Sequence, residues 1–376
     1  MKKTIVHQIS LTNIIGGVQS SFIYYYKEAI KSSQFDHEVF GMHPIDMHSK
    51  MYVPKYKNIR SSIFVFFQFC FRLCSKNYII HFYNNLGSRK LYYLLKILPV
   101  NNIILHERGA SWNLPSNKSY LIQSNIKNAS KVIVNSLASK ILLKEKFNIK
   151  DHEIAVIYNG IFTHKIDELE RKTNNEINIG FLGRLDTHKG VHTFIDLSKK
   201  INNYNFLIAG SGALELILKE YGKNTPNLKF LGRVNPLDFL LKTDILIVPS
   251  IREPLGNIII EAGFLKCPVI ASNIDGIPEI ISNNESGILL SPKTTLRKID
   301  LPPNAVPYPE FVIDGETRKL VTPKELDLDE LQIAVESLIS DRLKRKNLSE
   351  KLFLKVNSNF SLPLYFQKLE ILYKSF

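Results

Sequence analysis

Short apolar runs alternate with stretches of helical periodicity along the second half of the chain. The runs lie at 177–182, 206–210, 228–232, 244–250, 268–272 and 287–290. Between the first two runs, apolar residues recur at spacings of three and four and build one helix face: Val191, Phe194, Ile195, Leu197 and Ile201. Strands that alternate with helices form a parallel sheet covered on both faces, with ligands at the carboxyl ends of the strands.

The first half shows the same alternation less cleanly. Its apolar runs lie at 4–10, 78–83, 102–107, 131–136 and 154–160, and Gly16-Gly17 precedes a helical stretch. A polar stretch without a clear period, 163–176, separates the halves. The pattern therefore predicts an α/β protein with two doubly wound domains that face one another across a cleft.

The segment 292–328 breaks the alternation. It contains Pro302, Pro303, Pro307, Pro309 and Pro323, which is too much proline for a helix. We expect an irregular insertion with a short hairpin around 314–315. From 329 to the end the spacing is helical again.

Composition describes an ordinary globular chain. Of 376 residues 44% are hydrophobic, which excludes disordered and collagen-like classes, and the length favours two domains. Three cysteines are too few for a disulfide framework. The opening residues 1–13 lack the apolar stretch of a signal peptide, so we expect a cytoplasmic protein.

The net charge of +14 suggests an anionic binding partner. No zinc-finger spacing, basic zipper or base-stacking motif is present, so nucleic acid is not the predicted partner. Basic and apolar residues coincide at 55–76, where the apolar run 61–74 falls short of the roughly 20 residues that span a bilayer. This run either lies on a membrane surface, with basic residues at its ends, or forms a buried helix of the first domain.

The segment 252–272 holds two carboxylates after a predicted strand. Glu253 lies in the loop, Gly256 and Asn257 begin a helix, and Glu261 lies within it. The first N–H groups of a helix suit a phosphate, and a carboxylate accepts hydrogen bonds from the two ribose hydroxyls. A nucleoside diphosphate has both parts. The alternative is a helix N-terminus with ordinary capping acids.

A second cluster lies at 180–190, where Arg184 and Lys189 follow a strand end and precede a helix. Two cations there could neutralise a diphosphate. Taken singly, Arg184 or Lys189 would more often be a solvated charge in a loop. Together with the segment at 252–261, in the expected order along the chain, they favour one shared pocket.

Taken together, these motifs resemble the retaining glycosyltransferases of family 4, which have the two-Rossmann-domain architecture called GT-B. The resemblance covers nearly the whole chain except 292–328 and is most specific at 180–290, where Glu253 and Glu261 reproduce the family's E-x7-E spacing. It implies an acceptor-binding domain at 1–165 and a nucleotide-sugar-binding domain at 166–350. It also implies a final helix, 351–376, that crosses back onto the first domain.

The resemblance implies roles for individual residues in donor binding. Arg184 and Lys189 would bind the donor diphosphate, Glu261 the ribose, and Glu253, as a catalytic residue, the hydroxyls of the donor sugar. The backbone N–H groups that would meet the phosphate and sugar belong to Leu255, Gly256 and Asn257.

Further residues follow from the same resemblance. His106 matches the family's histidine beside the donor sugar and is the second predicted catalytic residue; the alternative is a strand-end histidine with satisfied hydrogen bonds. Gly16 and Gly17 would approach the diphosphate closely because they lack a Cβ. Gly210 resembles a glycine near the nucleoside, and Val234 falls where the base is contacted. No acidic residue immediately follows Val234 to pair with guanine, which favours a uridine diphosphate donor.

The resemblance implies a hexosyltransferase that adds sugar to a glycan or lipid-linked acceptor in cell-surface polysaccharide or lipopolysaccharide biosynthesis, at the inner face of the cytoplasmic membrane. No cofactor or metal is expected, because cations and helix amides can stabilise the leaving diphosphate. The pair Asp327 and Asp329 reads as a helix-start charge cluster. The alternatives are a nucleotide-sugar epimerase or hydrolase, and a nonenzymatic basic protein that binds membrane or nucleic acid.

Overall fold

The computed structural model describes residues 3–11, 17–149, 154–161 and 176–376, with the side chain of residue 48 excepted. The chain divides into two compact units. The first unit comprises Met1–Phe162 with Phe360–Phe376, and the second comprises Thr163–Asn359.

The first unit is built on a parallel sheet of order β3-β2-β1-β4-β5-β6-β7. Its strands are β1 (Thr4–Gln8), β2 (Asp36–Gly41), β3 (Tyr56–Asn58), β4 (Tyr78–Tyr83), β5 (Ile103–Glu107), β6 (Lys131–Val134) and β7 (Ile154–Val156). Its first six helices are α1 (Gly17–Ser32), α2 (Met47–Tyr52), α3 (Ile63–Cys74), α4 (Arg89–Ile97), α5 (Ser119–Lys127) and α6 (Leu137–Phe147), with 3-10 turns at Ser111–Asn113 and Ser116–Lys118.

The second unit repeats this design, with the parallel order β10-β9-β8-β11-β12-β13. Its sheet consists of β8 (Asn178–Leu182), β9 (Asn205–Ala209), β10 (Leu228–Gly232), β11 (Ile245–Val248), β12 (Val269–Ser272) and β13 (Ile288–Leu290). The helices are α7 (Val191–Lys200), α8 (Glu215–Gly222), α9 (Pro236–Leu241), α10 (Asn257–Phe264), α11 (Ile277–Ile280), α12 (Leu328–Ser340) and α13 (Arg342–Asn359), with a 3-10 turn at Thr187–Lys189. The predicted α/β class with two doubly wound sheets is confirmed.

The last helix, α14 (Leu362–Lys374), returns to the first unit. Its buried residues Leu362, Tyr365, Leu369 and Tyr373 join the core that α1 and the first sheet form. The predicted return of the final helix is therefore confirmed. Residues 351–359 still belong to α13 of the second unit, so the returning segment begins at Phe360, where the sequence analysis had placed its start at 351.

The proline-rich insertion forms two small antiparallel ladders. Strands β14 (Thr294–Thr295) and β17 (Lys324–Glu325) pair, as do β15 (Val312–Ile313) and β16 (Leu320–Val321). Asp314 closes the second ladder, because its Oδ1 accepts hydrogen bonds from the N–H groups of Glu316 and Thr317. The predicted hairpin at 314–315 is confirmed.

Helix α3, which covers most of the run 61–74, is buried on one face and exposed on the other. Phe69 and Leu73 are buried, while the opposite face exposes Ile63 (73%), Phe64 (68%), Phe67 (62%) and Phe71 (64%). Among the described residues, no helix combines the length and the apolar character needed to cross a bilayer.

Candidate functional site

Two of the predicted site residues meet in the second unit. Strands β8 and β11 are neighbours in the sheet although they are not consecutive, so the loops that follow them lie side by side at its carboxyl edge. Lys189 comes from the first loop and Glu253 from the second, and Lys189 Nζ lies 2.5 Å from Glu253 Oε2. Both side chains are largely buried, at 18% and 10% exposed. The structure thus brings a cation and a carboxylate together at the switch point of the sheet.

Backbone contacts hold these two loops against each other. The N–H groups of Ile251 and Arg252 donate to the carbonyl of His188, at 2.9 and 3.2 Å. Gly190, with φ +64°, ends the 3-10 turn, and a Cβ there would lie 1.9 Å from the carbonyl oxygen of Pro249. Only glycine satisfies both the left-handed conformation and this close approach.

Asp275 holds the backbone of Glu253 by a hydrogen bond and was not among the residues that the sequence analysis identified. Its Oδ2 accepts the N–H of Glu253 at 2.8 Å, and its Oδ1 accepts the N–H of Ile313 at 2.7 Å. Burial raises the pKa of Asp275 to about 7, against the lowering effect of these amides and of Arg252. An acidic residue followed by glycine just after a buried strand was the signal that could have identified it. Asp275 therefore links the site to the insertion.

Cations surround this pocket. Burial lowers the pKa of His188 well below its usual value, and the charges of Arg252, Lys189 and Arg184 lower it further, which places all three near the imidazole. Arg184 is exposed, whereas Arg252 is buried. Arg252, next to Glu253 in the chain, was not among the predicted residues. The carboxylates of Asp275, Glu253 and Asp186 act on Arg252 as well, so cations and carboxylates lie together at this edge of the sheet.

Helix α10 places Glu261 one turn beyond its first residue, Asn257. Gly256 caps the helix at φ +105°, as predicted for a helix that begins at 256–257, while Leu255 is buried. Burial raises the pKa of Glu261 to about 7. In the described part of the chain no hydrogen bond reaches its carboxylate, which leaves its oxygens available as acceptors for hydroxyl groups.

The predicted nucleoside residues lie at the ends of β9 and β10. Gly210 adopts φ +132°, and a Cβ there would lie 1.8 Å from the carbonyl oxygen of Gly183, so the loops after β8 and β9 touch. Val234 is partly exposed, and the next residue, Asn235, caps α9 by accepting the N–H of Leu237. The structure places these residues on the same edge as the cation cluster, because all strands of this sheet are parallel.

In the first unit, His106 ends β5 and is 1% exposed. Its Nδ1 lies 3.1 Å from Nε2 of His81, and in the described residues its Nε2 has no hydrogen-bond partner. Burial, and then the charge of Arg108, lower its pKa well below the usual value. Gly17 begins α1, and Gly16 lies outside the described residues. His106 is therefore neutral, and its Nε2 is a buried nitrogen without a hydrogen-bond partner among the described residues.

The Asp327 and Asp329 pair is a helix start, as predicted. Asp327 caps α12, and its side chain accepts the N–H groups of Asp329 and Glu330. Within the described ranges, no group of three or more histidine, cysteine, aspartate or glutamate side chains is arranged to hold a metal ion.

Comparison with known proteins assigns the class. Residues 163–299 match the family Glycosyl transferases group 1. The capsular polysaccharide biosynthesis glycosyltransferase CapM of Staphylococcus aureus is 25% identical over 269 residues, which are 69% of this chain and 59% of that protein. The chain spans about half the length of the curated relatives it matches.

Solved structures share the fold. A glycosyltransferase from Rickettsia africae has a TM-score of 0.74 at 19% identity and covers 100% of this chain and 98% of its own. Anabaena HepE in complex with UDP-glucose has a TM-score of 0.73 at 16% identity, with 99% and 100% covered. The fold is GT-B, and residues 163–299 are similar to the group 1 glycosyltransferases.

Proposed function

We propose that the protein is a retaining glycosyltransferase that moves a hexose from a uridine diphosphate sugar to a glycan or lipid-linked acceptor. The observation that carries this proposal is the buried pair of Lys189 and Glu253 at the switch point of the second sheet, with Arg184 and Arg252 around it. A bound diphosphate would compete with Glu253 for Lys189. The carboxylate released in this exchange would then accept hydrogen bonds from the sugar hydroxyls.

The charges in this pocket account for the chemistry. When the bond between the anomeric carbon and the phosphate oxygen breaks, the leaving diphosphate gains one negative charge. Arg184, Lys189 and the amides at the start of α10 would stabilise that charge from fixed positions. Glu261, whose carboxylate lacks a partner in the described chain, would accept the ribose hydroxyls.

Retention requires either a covalent sugar intermediate on the enzyme or attack by the acceptor from the face that the diphosphate leaves. We propose that the acceptor oxygen bonds to the anomeric carbon as the phosphate departs, and that its proton passes to a leaving phosphate oxygen. In this mechanism the protein supplies position and charge and forms no covalent sugar intermediate. This mechanism therefore requires cations near the leaving diphosphate and does not require a nucleophilic side chain.

The biological setting we propose is the assembly of capsular polysaccharide or lipopolysaccharide. Support comes from the similarity to the capsule enzyme of S. aureus. The chemical support for uridine is that Val234 is followed by Asn235, whose side-chain oxygen is engaged in capping α9. No carboxylate stands there to pair with guanine.

Thermal unfolding with uridine diphosphate tests the donor site. At a hundredfold excess over its dissociation constant, the nucleotide should stabilise the protein by about 2.7 kcal/mol. The double substitution Arg184→Ala and Lys189→Ala should remove this protection. The matched control, Lys200→Ala with Lys219→Ala, removes two surface cations of the same unit and should leave it unchanged. Full protection in the first double variant would refute the diphosphate assignment.

Product analysis by NMR separates transfer from donor hydrolysis. With donor and acceptor together, the transferred sugar should keep its anomeric configuration. Rapid release of free sugar or of an epimer without acceptor would support the alternative enzyme classes of the same fold instead.

We also propose that the protein works at the inner face of the cytoplasmic membrane, with helix α3 as the contact. Its exposed face carries Ile63, Phe64, Phe67 and Phe71. Of the nearby cations, Lys57 and Arg72 pair with Glu38, whereas Lys55, Arg60 and Lys76 are exposed. Exposed cations beside an apolar face suit anionic headgroups.

Sedimentation with vesicles tests this contact. Vesicles with anionic lipid should bind the protein, and Phe67→Ser with Phe71→Ser should weaken binding at least tenfold, since a buried phenylalanine contributes about 2 kcal/mol. Leu216→Ser, which removes an exposed side chain of the second unit, is the control. Unchanged binding by the double variant would rule out α3 as the contact.

A further inference from the structure

The proline-rich insertion, 292–328, is anchored to the second unit at its base. The guanidinium of Arg297 forms an ion pair with Asp196 of α7, at 2.9 Å between Nη1 and Oδ2, and one with Glu325, at 2.6 Å between Nη2 and Oε2. Arg297 lies near the start of the insertion and Glu325 near its end. The two ends are therefore held together on the unit, and the segment between them is positioned from this base.

From this base the insertion reaches the loop that carries Lys189. Thr187 begins the 3-10 turn that ends at Lys189, and its Oγ1 donates a hydrogen bond to the carbonyl of Val306 at 2.6 Å. The side chain of Thr187 lies in the interior, since the residue is 3% exposed. The turn that presents the cation is therefore tied to the insertion.

The hairpin of the insertion, 312–321, reaches the loop that follows β12. The N–H of Ile313 donates to Asp275 Oδ1 at 2.7 Å, and the N–H of Asp275 donates to the carbonyl of Ile313, also at 2.7 Å. Arg318 Nη1 donates to the carbonyl of Asp275 at 2.9 Å. Three hydrogen bonds thus join Asp275 to the hairpin.

The same loop holds the backbone of Glu253 at both of its polar groups. Asp275 Oδ2 accepts the N–H of Glu253 at 2.8 Å, and the carbonyl of Glu253 accepts the N–H of Gly276 at 3.2 Å. A carboxylate can accept two N–H groups at once because both of its oxygens are acceptors. Asp275 therefore connects the hairpin, through Oδ1, to the residue that pairs with Lys189, through Oδ2.

The tip of the hairpin lies close against the residue that follows β12. The N–H of Gly315 donates to the carbonyl of Asn273 at 3.1 Å, and a Cβ at 315 would lie 2.0 Å from Asn273 Oδ1 and 2.6 Å from its carbonyl oxygen. A methyl group at 315 would therefore push the hairpin away from this loop.

The insertion thus contacts both loops that meet in the ion pair of Lys189 and Glu253. We propose that it is a brace, in which Thr187 and Asp275 are positioning residues that fix Lys189 and Glu253 relative to each other. Charged groups stabilise a reacting ligand best when their geometry is fixed before it binds. The part of the proposal that concerns the nucleotide sugar rests on the proposed function, whereas the brace itself does not.

Hydrogen exchange of the full chain without ligand tests the hairpin contact. In Gly315→Ala the amide of Glu253 should exchange at least tenfold faster than in the wild type, while β9, the reference for global unfolding, should keep its protection. Lys319→Ala, which removes an exposed side chain of the same hairpin, is the matched control and should change neither. Faster exchange confined to 312–321, with the Glu253 amide unchanged, would overturn the brace.

An isosteric substitution tests the other contact. Thr187→Val replaces the hydroxyl by a methyl group, so the amide of Lys189, which donates to the carbonyl of Asp186 at 3.1 Å, should exchange about fivefold faster. Thr187→Ser keeps the hydroxyl and should restore the wild-type rate. Equal rates in the valine and serine variants would overturn the positioning role of Thr187.

Ligand binding connects the brace to the donor. Calorimetry compares UDP with the most protective of UDP-glucose, UDP-galactose and UDP-N-acetylglucosamine. Asp275→Asn leaves one acceptor oxygen for two N–H groups, so Glu253 should lose its position, and binding of the UDP-sugar should weaken about tenfold while that of UDP stays within about twofold. Equal weakening of both ligands would overturn the role of Asp275 in positioning Glu253.

The two proposals fail in different ways. If neither UDP nor any of the three UDP-sugars binds the wild type, while Gly315→Ala speeds exchange at Glu253, the proposed donor is wrong and the brace stands. If the ligands bind and exchange at Glu253 does not respond to Gly315→Ala, the proposed donor stands and the brace is wrong.

Discussion

The two sheets share one architecture but carry opposite kinds of chemistry at their carboxyl edges. The second unit gathers charge, with Lys189 against Glu253 and Arg252 beside Asp275. The first unit gathers neutral rings, in which Tyr83 lies within hydrogen-bond distance of His7 and His81, and His81 contacts His106 directly. A parallel sheet therefore supplies the position of a site, and the side chains at the strand ends supply its chemistry.

The difference follows from burial. An isolated buried charge is costly, so the second unit pairs its charges or leaves them partly open to solvent. The first unit buries His7, His81 and His106 and holds them neutral instead, with hydrogen bonds in place of ion pairs. One edge is suited to neutralise an anion, and the other to orient a hydrogen bond.

The largest expected effect is at Lys189. If charge in the second unit drives the reaction, Lys189→Ala should lower kcat/KM by about 10²–10³, the usual loss when a group that stabilises developing charge is removed. Lys200→Ala, which breaks the exposed pair with Asp329, should stay within about twofold. A loss below tenfold for Lys189→Ala would contradict the division of roles.

The next effect is the pH dependence of local stability. In the first unit, His7, His81 and His106 have lowered pKa values, so the folded protein binds fewer protons than the unfolded chain. Their contribution to stability is complete above about pH 6.5 and is lost as the pH falls below that value. Glu107, whose pKa is raised, acts in the opposite sense. The free energy that protects the first unit from opening should therefore fall by about 3 kcal/mol for each pH unit. Hydrogen-exchange protection of β5, corrected for intrinsic rates, measures it.

The second unit should respond much less over pH 5–6.5. There Glu261 and Asp275, with pKa raised to about 7, contribute stability that is lost as the pH rises, while His188 and His192 act in the opposite sense. Protection of β12 should therefore change by less than about 1 kcal/mol. A decline in β12 as steep as that in β5 would contradict the comparison.

A third test separates backbone conformation from close packing in the second unit. Gly190 and Gly232 have nearly the same φ, +64° and +65°, but a Cβ at 232 would meet nothing within 4 Å. Gly232→Ala should cost about 1–2 kcal/mol for the left-handed conformation alone, and Gly190→Ala about 3 kcal/mol because Pro249 must also move. Denaturant unfolding measures both free energies. Equal costs would show that the loops at the site are not closely packed.

The smallest effect concerns the acidic helix start in the second unit. Asp327→Ala should cost about 1 kcal/mol, as the loss of an N-cap does. Addition of Mn²⁺ should not change the unfolding free energy of the wild type. Stabilisation by Mn²⁺ that disappears in Asp327→Ala would make this pair a metal site instead.

Sequence pattern was sufficient where a residue's role depends on near neighbours. Alternating strands and helices predicted both sheets, and Arg184, Lys189, Glu253 and Glu261 were located from their distance to a strand end. Asp275 also follows a buried strand, but its hydrogen bonds to the N–H groups of Glu253 and Ile313 and the burial of Arg252 depend on contacts across the sheet edge that the sequence does not show.

The sequence by itself therefore determined the fold class, which loop follows which strand, and the residue types available for binding a diphosphate. It could do so because hydrophobic period and position at a strand end are local properties. Tertiary structure decided that Lys189 meets Glu253, that Asp275 ties their loop to the insertion, and that Tyr373 reaches His81. Those contacts join residues far apart in the chain. Their geometry depends on strand order and helix packing, which no local pattern contains.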